Sequence, residues 1–350
     1  MDGGKTLDPI SWIASQFDLV DLFALTASEI KQRLLMKPKM DEVFALAFAL
    51  FTLAALAVIQ HAGNFITYYD LQNFLKAGQG DFSHYYYAYW ALPFFWAIAR
   101  APFPEAFLWI GGLNIAAAWF AVRVFGGRPI PLLVSFHLIY ILSQGQIAGI
   151  LAGGFALLVL GLVFQRWEIA GIGAVIALTK FQVGLVPFCT LWLLWDTAWM
   201  NKLRVLLPPA VLFLASLLLY GAWPFQLAGT IISNPPYPEG SVSLWQWIGP
   251  LALVLWLPPL VIKLPNHERF SLLLMANALA LPYFQQTDLL LMFTLFSGYG
   301  AASSNLFFAA GGSGIIPSVS AWVFIRGLVL IPLGIYFTTL YQGARKQRTA

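Results

Sequence analysis

Residues 42–60 read EVFALAFALFTLAALAVIQ, and residues 61–90, which follow directly, read HAGNFITYYDLQNFLKAGQGDFSHYYYAYW. The first run is apolar over about the 20 residues that a helix needs to cross the hydrocarbon of a bilayer. The second is the one long stretch where acid, amide, histidine and tyrosine side chains crowd together, in a chain that is otherwise mostly hydrocarbon. A polar stretch hard against a spanning helix places Asn64, Asp70 and Asp81 at or just above a membrane surface. Polar groups kept at such a boundary mark a candidate functional site. The plainer alternative is a solvated loop whose tyrosines form an interfacial aromatic belt.

Composition supports the membrane reading. The 350 residues are 60% hydrophobic and 10% charged, with a mean hydropathy of +0.76, whereas about 25% of the residues of a soluble domain are charged. The fold class is therefore all-α, a polytopic integral membrane protein. A single cysteine, Cys189, rules out a disulfide framework and a thiolate metal cluster. The four histidines, His61, His84, His137 and His267, are too scattered for a spaced metal motif, and no Gly-rich phosphate loop appears. No cofactor is implied, and the formal charge of +4 calls for no nucleic acid, because the basic residues gather in short connections between spans.

Residues 1–40 lack the continuous apolar core of a cleavable signal peptide. Within them, SWIASQFDLVDLFALTASEIKQRLL (11–35) sets Trp12, Ile13, Phe17, Leu19, Val20, Leu22 and Phe23 among charges at helical spacing, the pattern of an amphipathic helix lying on a membrane. Lys31, Arg33, Lys37 and Lys39 precede the first span and place it cytoplasmic side first. The next apolar piece, YYYAYWALPFFWAIARA (85–101), is short and holds Pro93. If it stays in the outer interface without crossing, twelve of the nineteen Lys and Arg residues fall inside, three (Lys76, Arg100, Lys180) fall outside, and four lie near the C-terminus. That charge asymmetry selects the non-crossing arrangement.

On this parity the later spans fall at about 105–122, 129–143, 147–165, 168–180, 182–197, 203–221, 246–263, 270–283, 289–308 and 318–341, giving a membrane domain over 41–342 with eleven to twelve transmembrane helices. A cytoplasmic amphipathic segment (1–40) precedes it and a basic tail (343–350) follows. The 28 or so residues around Lys180 are too long for one comfortable span and short for two. A broken pair lining a water-filled cavity satisfies the backbone there. The charge of GARKQR (343–348) puts the tail in the cytoplasm, but the parity of the spans leaves its side open.

The outside residues then include the 61–90 stretch, the SQGQ turn (143–146), Lys180, the loop 223–245 and YFQQTD (283–288), which converge on one cavity of carboxylates, amides, a cation and aromatic rings. Such a cavity suits a sugar, with amides and acids for hydroxyls and a cation for a phosphate. Each candidate has a plainer alternative. Lys180 is also what a lysine snorkelling from a span end looks like. Gln144 and Gln146 hydrogen-bond a sugar or bridge helices. Asp288 binds an acceptor or caps a helix, and Gln246, between Trp245 and Trp247, closes over a ligand or sits in an aromatic belt. His84 and Tyr86 are sugar contacts or interfacial loop residues.

At these residues the chain resembles the membrane-embedded glycosyltransferases of the GT-C superfamily, and within it the polyprenol-phosphate-mannose-dependent alpha-mannosyltransferase family of bacterial cell envelopes. The resemblance rests on NFITY (64–68), Gly78, YYYAYWALP (85–93), GQIAGIL (145–151), AGIGAVIALTK (170–180), the Pro-containing NPPYPEGSVSLWQW (234–247) and QQTDLLL (285–291), in that order over about 42–300. It implies a GT-C-like fold in the plasma membrane, with an active face outside the cytoplasm. A polyprenyl-phosphate sugar donor and a lipid or glycan acceptor would be bound among membrane lipids, with no metal.

The chain departs from that family at one position. When Tyr68 and Gly78 are laid on the pattern, the acid expected to act as base is Asn64, and an amide cannot take a proton. Asp70, six residues on, and Asp81, eleven further, are the carboxylates that could replace it. With Asp70 as base, Lys180 becomes the partner of the donor phosphate and Tyr68 a substrate contact. The alternatives are a catalytically inactive relative acting as a lipid-binding or structural subunit, and a transporter or flippase, although no internal repeat of the kind transporters show is evident.

Overall fold

The structure, a computed structural model, describes residues 15–61, 69–233, 240–306 and 326–349. Among these residues the fold is all helical, with two isolated β-bridges and no strands.

The N-terminal segment is not one surface helix. Helix α1 (Ala27–Leu35) begins at Thr26, whose hydroxyl accepts from Glu29 N while Glu29 accepts from Thr26 N, a reciprocal cap that starts a helix at this point. The residues before it bind protein: Val20 N donates to Leu295 O and Ser297 N to Asp18 O, both at 2.9 Å, and Leu22 is buried. The apolar side chains expected to face lipid are used for docking. Trp12 and Ile13 lie outside the described residues.

Helix α2 (Met40–His61) is followed by α3 (Tyr69–Gly78), which buries Leu71, Phe74 and Ala77. Helix α4 (Leu92–Ile98) stacks on it through Phe95, whose ring lies 4.4 Å from that of Phe74. Seven residues make about 10 Å of helix, too short to cross about 30 Å of hydrocarbon, so the 85–101 piece does not span as a helix. The following α5 (Phe103–Phe125) runs antiparallel to α2: Glu42 meets Arg123 at one end, and Gly111 abuts Leu53 further along.

The expected span 129–143 is broken. Helix α6 (Pro129–Leu133) stops before Ser135, whose hydroxyl caps α7 (Phe136–Gln144) by accepting from Leu138 N at 3.0 Å. Gly145, at φ +66°, ends α7, and α8 (Ala148–Val163) leaves at 110° to it. Helix α8 lies parallel to α5 and antiparallel to α9 (Trp167–Ala177), with backbones nearly touching: a Cβ on Gly173 would fall 2.2 Å from Leu158 N. Small residues let membrane helices pack this closely.

Helix α10 (Phe181–Leu194) begins at Lys180. At 11 and 14 residues α9 and α10 are short, as the sequence around Lys180 requires. Helix α11 (Trp199–Tyr220) presents Leu218, 88% exposed, on an open apolar face, and α12 (Trp223–Ser233) follows. The expected span 246–263 is a chain of short turns. Helix α13 (Trp245–Ile248) ends at Gly249, a 3₁₀ stretch runs over Gly249–Trp256, and α14 (Leu257–Val261) carries Pro258 and Pro259.

Helix α15 (Asn266–Ala280) is antiparallel to α10, since Asn266 Nδ2 donates to Leu194 O and Asn277 Nδ2 to Gln182 O. The expected span 289–308 begins as α16 (Leu289–Thr294), six buried residues. Helix α17 (Leu330–Thr349) sets Gly343 beside Leu264 and Glu268, near Lys263, so the tail starts at the basic end of the bundle.

Three helices, α2, α5 and α11, are long and apolar enough to cross a membrane, or four spans if α7 and α8 together make one broken span. Eleven to twelve full-length spans are not present among the described residues, because prolines, glycines and caps cut the apolar runs into shorter helices.

Candidate functional site

The bundle has two unlike ends. At the basic end, Arg123 pairs with buried Glu42 at 2.7 Å and donates to the carbonyls of Arg33 and Met36, tying α1 to α2 and α5. The opposite end carries the chemistry.

The arrangement there is built on the turn after α7. The left-handed Gly145 turns the chain so that Gln146 points inward, and a Cβ on Gly145 would fall 2.5 Å from that of Leu71, so α3 packs directly on the turn. Asn114 of α5 holds the turn from behind: its Nδ2 donates to Gln146 O at 2.6 Å and its Oδ1 accepts from Gly149 N at 2.8 Å. Gln146 Oε1 accepts from Tyr87 OH at 2.8 Å, and the Gln146 side chain also hydrogen-bonds Asp70. Burial keeps the Tyr87 hydroxyl far above its usual range, and so protonated and donating. Tyr87 is itself placed by Ala88 N, which donates to Thr179 O at 2.7 Å.

Asp70 is half-buried in the first turn of α3. Burial raises its pKa from 3.8 to about 6. The charge of Lys180 and the Gln146 hydrogen bond pull it down, and the charge of Asp288 pushes it up. Next to it, Lys180 Nζ lies 2.6 Å from Asp288 Oδ1, with both side chains 1% exposed. The ammonium also faces the rings of Tyr283 and Tyr87 at 5.3 and 5.4 Å, within the roughly 6 Å over which a ring attracts a cation. Asp288 Oδ2 accepts from Gln285 N at 3.0 Å.

Asp70, Gln146, Lys180 and Asp288, drawn from four distant parts of the sequence, therefore meet. Lys180, expected to meet a donor phosphate, is sealed from solvent here and its charge is matched by Asp288. Asp288 is more than a helix cap: it makes no side-chain cap to α16 and is the lysine's counter-ion.

The other candidates stand apart. Asp81 is exposed, and hydrogen bonds from the Ser83 hydroxyl and then from Ser83 N, in its own turn, lower its pKa. His84 is exposed, and Gln144 is half-buried on the last turn of α7. Gln246 braces the segment before Tyr283 by donating to Pro282 O at 2.8 Å. Tyr86 is half-exposed, with its ring 6.4 Å from Tyr283, while its neighbours Tyr85 and Tyr87 point inward. Asn64 and Tyr68 lie outside the described residues.

The sequence reading missed Tyr87, Asn114 and Tyr283. Asn114 is the lone amide of an otherwise apolar span, a signal open to inspection. Side chains alternate in an extended stretch, so Tyr85 and Tyr87 share one face and Tyr86 takes the other, but alternation does not say which face turns inward. Among the described residues no group of three or more His, Cys, Asp or Glu side chains could hold a metal ion. No family model, no curated protein and no solved structure matches this chain, so the reading of the site rests on its own geometry.

Proposed function

We propose that the chain is a membrane-embedded glycosyltransferase. On this reading it moves a sugar, mannose by the resemblance, from a polyprenyl-phosphate donor to a hydroxyl of a lipid or glycan on the outer face of the plasma membrane. The observation that carries the reading is Asp70: a partly buried carboxylate, poised near pH 6 by that burial, on the polar end of an apolar helical body. A general base works best with a pKa near the working pH. In the step, Asp70 takes the acceptor's hydroxyl proton, that oxygen bonds the anomeric carbon, and the bond from that carbon to the phosphate oxygen breaks. The polyprenyl phosphate leaves with the electron pair. Lys180 acts as a positioning residue that fixes Asp288 and tunes Asp70. The short and broken helices serve as partial crossings of a GT-C-like bundle of eleven to twelve passes.

One observation favours a second reading. With Lys180 bound to Asp288 and Asn64 at the family's acid position, the chain has the marks of a catalytically inactive relative that keeps the cavity as a lipid-binding or structural subunit.

Assay of the purified protein with polyprenyl-phosphate mannose and candidate lipid acceptors separates the two. Turnover in the wild type that collapses in Asp70→Asn, with the fold retained, supports the transferase. Wild-type turnover that Asp70→Asn leaves intact removes Asp70 from the mechanism. Lipid binding without turnover supports the inactive relative.

A further inference from the structure

At the basic end of the bundle, where the connection from α1 to α2 meets the end of α5, lies a cavity of about 280 Å³ whose wall holds Arg33, Lys37, Lys39, Arg123 and Arg128. Two carboxylates, Asp41 and Glu42, share that wall. Glu42 is spent on Arg123, and among the described residues no carboxylate lies within ion-pairing distance of the other four cations. Four cations therefore face one remaining carboxylate, Asp41, whose Oδ1 accepts from Glu42 N at 3.0 Å. Like charges gathered round one hollow repel each other, and an anion placed in the hollow offsets that cost.

Two of the cations are held in place. Gly126 ends α5 at φ +79°, and a Cβ there would fall 2.7 Å from Arg33 Cζ, so the glycine makes room for the guanidinium. Arg33 Nη1 donates to Val124 O at 3.2 Å, and Arg128 Cζ lies 5.4 Å from the centre of the Tyr299 ring. A guanidinium fixed in this way is prepared to pair with a phosphate through two parallel hydrogen bonds. Lys37 and Lys39, both exposed, add charge on flexible stems. The helix that leaves the cavity indicates where such a phosphate comes from. Met40, Phe44, Phe51 and Val58 of α2 are exposed, and spacings of four and seven residues keep them on one face. From Met40, next to Lys39, the stripe to Phe51 runs about 16 Å, roughly half of a hydrocarbon core about 30 Å thick. We propose that the cavity binds the phosphate of an anionic phospholipid from the leaflet at this end, with the acyl chains lying along the α2 stripe. The site is separate from the polar end of the bundle and does not rest on the transferase reading.

Basic residues at one end of a bundle also set its orientation in the membrane, so the test compares charges in the cavity wall with charges outside it. The full chain in an uncharged detergent is titrated with dioctanoyl phosphatidylglycerol and followed by native mass spectrometry, which counts bound lipids and gives Kd. Lys37→Gln/Arg128→Gln removes two exposed cations from the wall and should raise Kd about 30-fold, at about fivefold per cation. Arg166→Gln/Arg204→Gln removes two exposed cations that do not line the cavity and should change Kd by less than about threefold. Dioctanoyl phosphatidylcholine, which has no net charge, and inorganic phosphate, which has no acyl chains, should each bind at least about tenfold more weakly than phosphatidylglycerol. Equal losses in the two double variants, or phosphatidylcholine binding as tightly as phosphatidylglycerol, would overturn the cavity as an anion site. Inorganic phosphate binding as tightly as the lipid would overturn the lipid as the source of the anion.

Discussion

Replacing Lys180 by Met keeps most of the side chain's length and removes its charge, which leaves Asp288 buried with Gln285 N–H as its remaining hydrogen-bond donor. Taking one partner from a buried pair costs about 3–5 kcal/mol. The pair at 2.6 Å, with both side chains 1% exposed and two tyrosine rings facing the ammonium, belongs at the upper part of that range. At roughly 2 °C per kcal/mol for a chain of this size, Lys180→Met should melt about 8–10 °C below the wild type when unfolding is followed by tryptophan fluorescence in detergent. The double variant Lys180→Met/Asp288→Leu removes both charges and should recover most of that loss, since an apolar replacement of a buried pair is often neutral or better. The double-mutant cycle then reports the coupling directly. A second readout is independent of stability. Lys180 lowers the pKa of Asp70, so its loss should move any Asp70-linked pH limb above pH 6. A fall of under about 1 kcal/mol in the single variant, or a double variant no better than the single, refutes the pair as a structural element.

Asp70→Asn should lower transfer by about 100- to 10,000-fold, and the wild-type kcat/KM should rise with pH through about 6. Folded Asp70 ionises near 6 against 3.8 for the free group, so wild-type stability is lost as pH rises through that window. Asp70→Asn should be more stable by up to about 3 kcal/mol at pH 7.5 and equal to the wild type below pH 4, as pH-dependent melting would check. Arg123→Met leaves Glu42 buried without its cation and frees the carbonyls of Arg33 and Met36, at a cost of about 3–5 kcal/mol in thermal unfolding. Gly173→Ala should destabilise by about 1–3 kcal/mol, because its Cβ meets Leu158 N at 2.2 Å. By contrast Gly112→Ala, with nothing within 4 Å, should gain up to about 1 kcal/mol of helix propensity. In a Cys189→Ser background, Ser83→Cys should react with an impermeant maleimide from outside the cell and Arg204→Cys only after permeabilisation. The reverse pattern would overturn the assigned orientation.

The three full-length apolar helices were legible because their runs exceed what a bilayer needs and carry few charges. The helices that the spans at 129–143 and 246–263 became were not, because hydropathy counts side chains and is blind to where the backbone stops. The stops were nevertheless written in the sequence, in Ser135 before α7, in Gly249 and Pro250, and in Pro258 with Pro259. The N-terminal segment misled for another reason. A face apolar at helical spacing suits lipid and protein equally, and Leu22 found protein. At the candidate site, the polar-crowded stretch 61–90 supplied Asp70, and polar residues interrupting apolar runs supplied Gln146, Lys180 and Asp288. What spacing could not disclose is that the partner of Lys180 stands 108 residues away, and that the partner, not the lysine alone, determines what the lysine does.

That pairing bears on the site's chemistry. Lys180 and Asp288 act on Asp70 with opposite signs, the first lowering its pKa and the second raising it, and burial is the largest influence of all. An unpaired lysine at the same position would lack Asp288's opposing charge and would hold Asp70 lower, as a weaker base at neutral pH. Burial outweighs the lysine's pull, with a smaller upward push from Asp288, and leaves Asp70 near pH 6, where a carboxylate is ionised in neutral solution yet basic enough to accept a proton in a transition state. The ion pair leaves Lys180 unavailable to an anionic donor unless Asp288 lets it go. A phosphate entering this site would then be met by neutral donors such as the amide and phenol groups around Gln146 and Tyr87, or by a lysine that changes partners. The Lys180→Met/Asp288→Leu pair separates these, since loss of donor binding in the double variant requires the exchange and its retention requires the neutral donors.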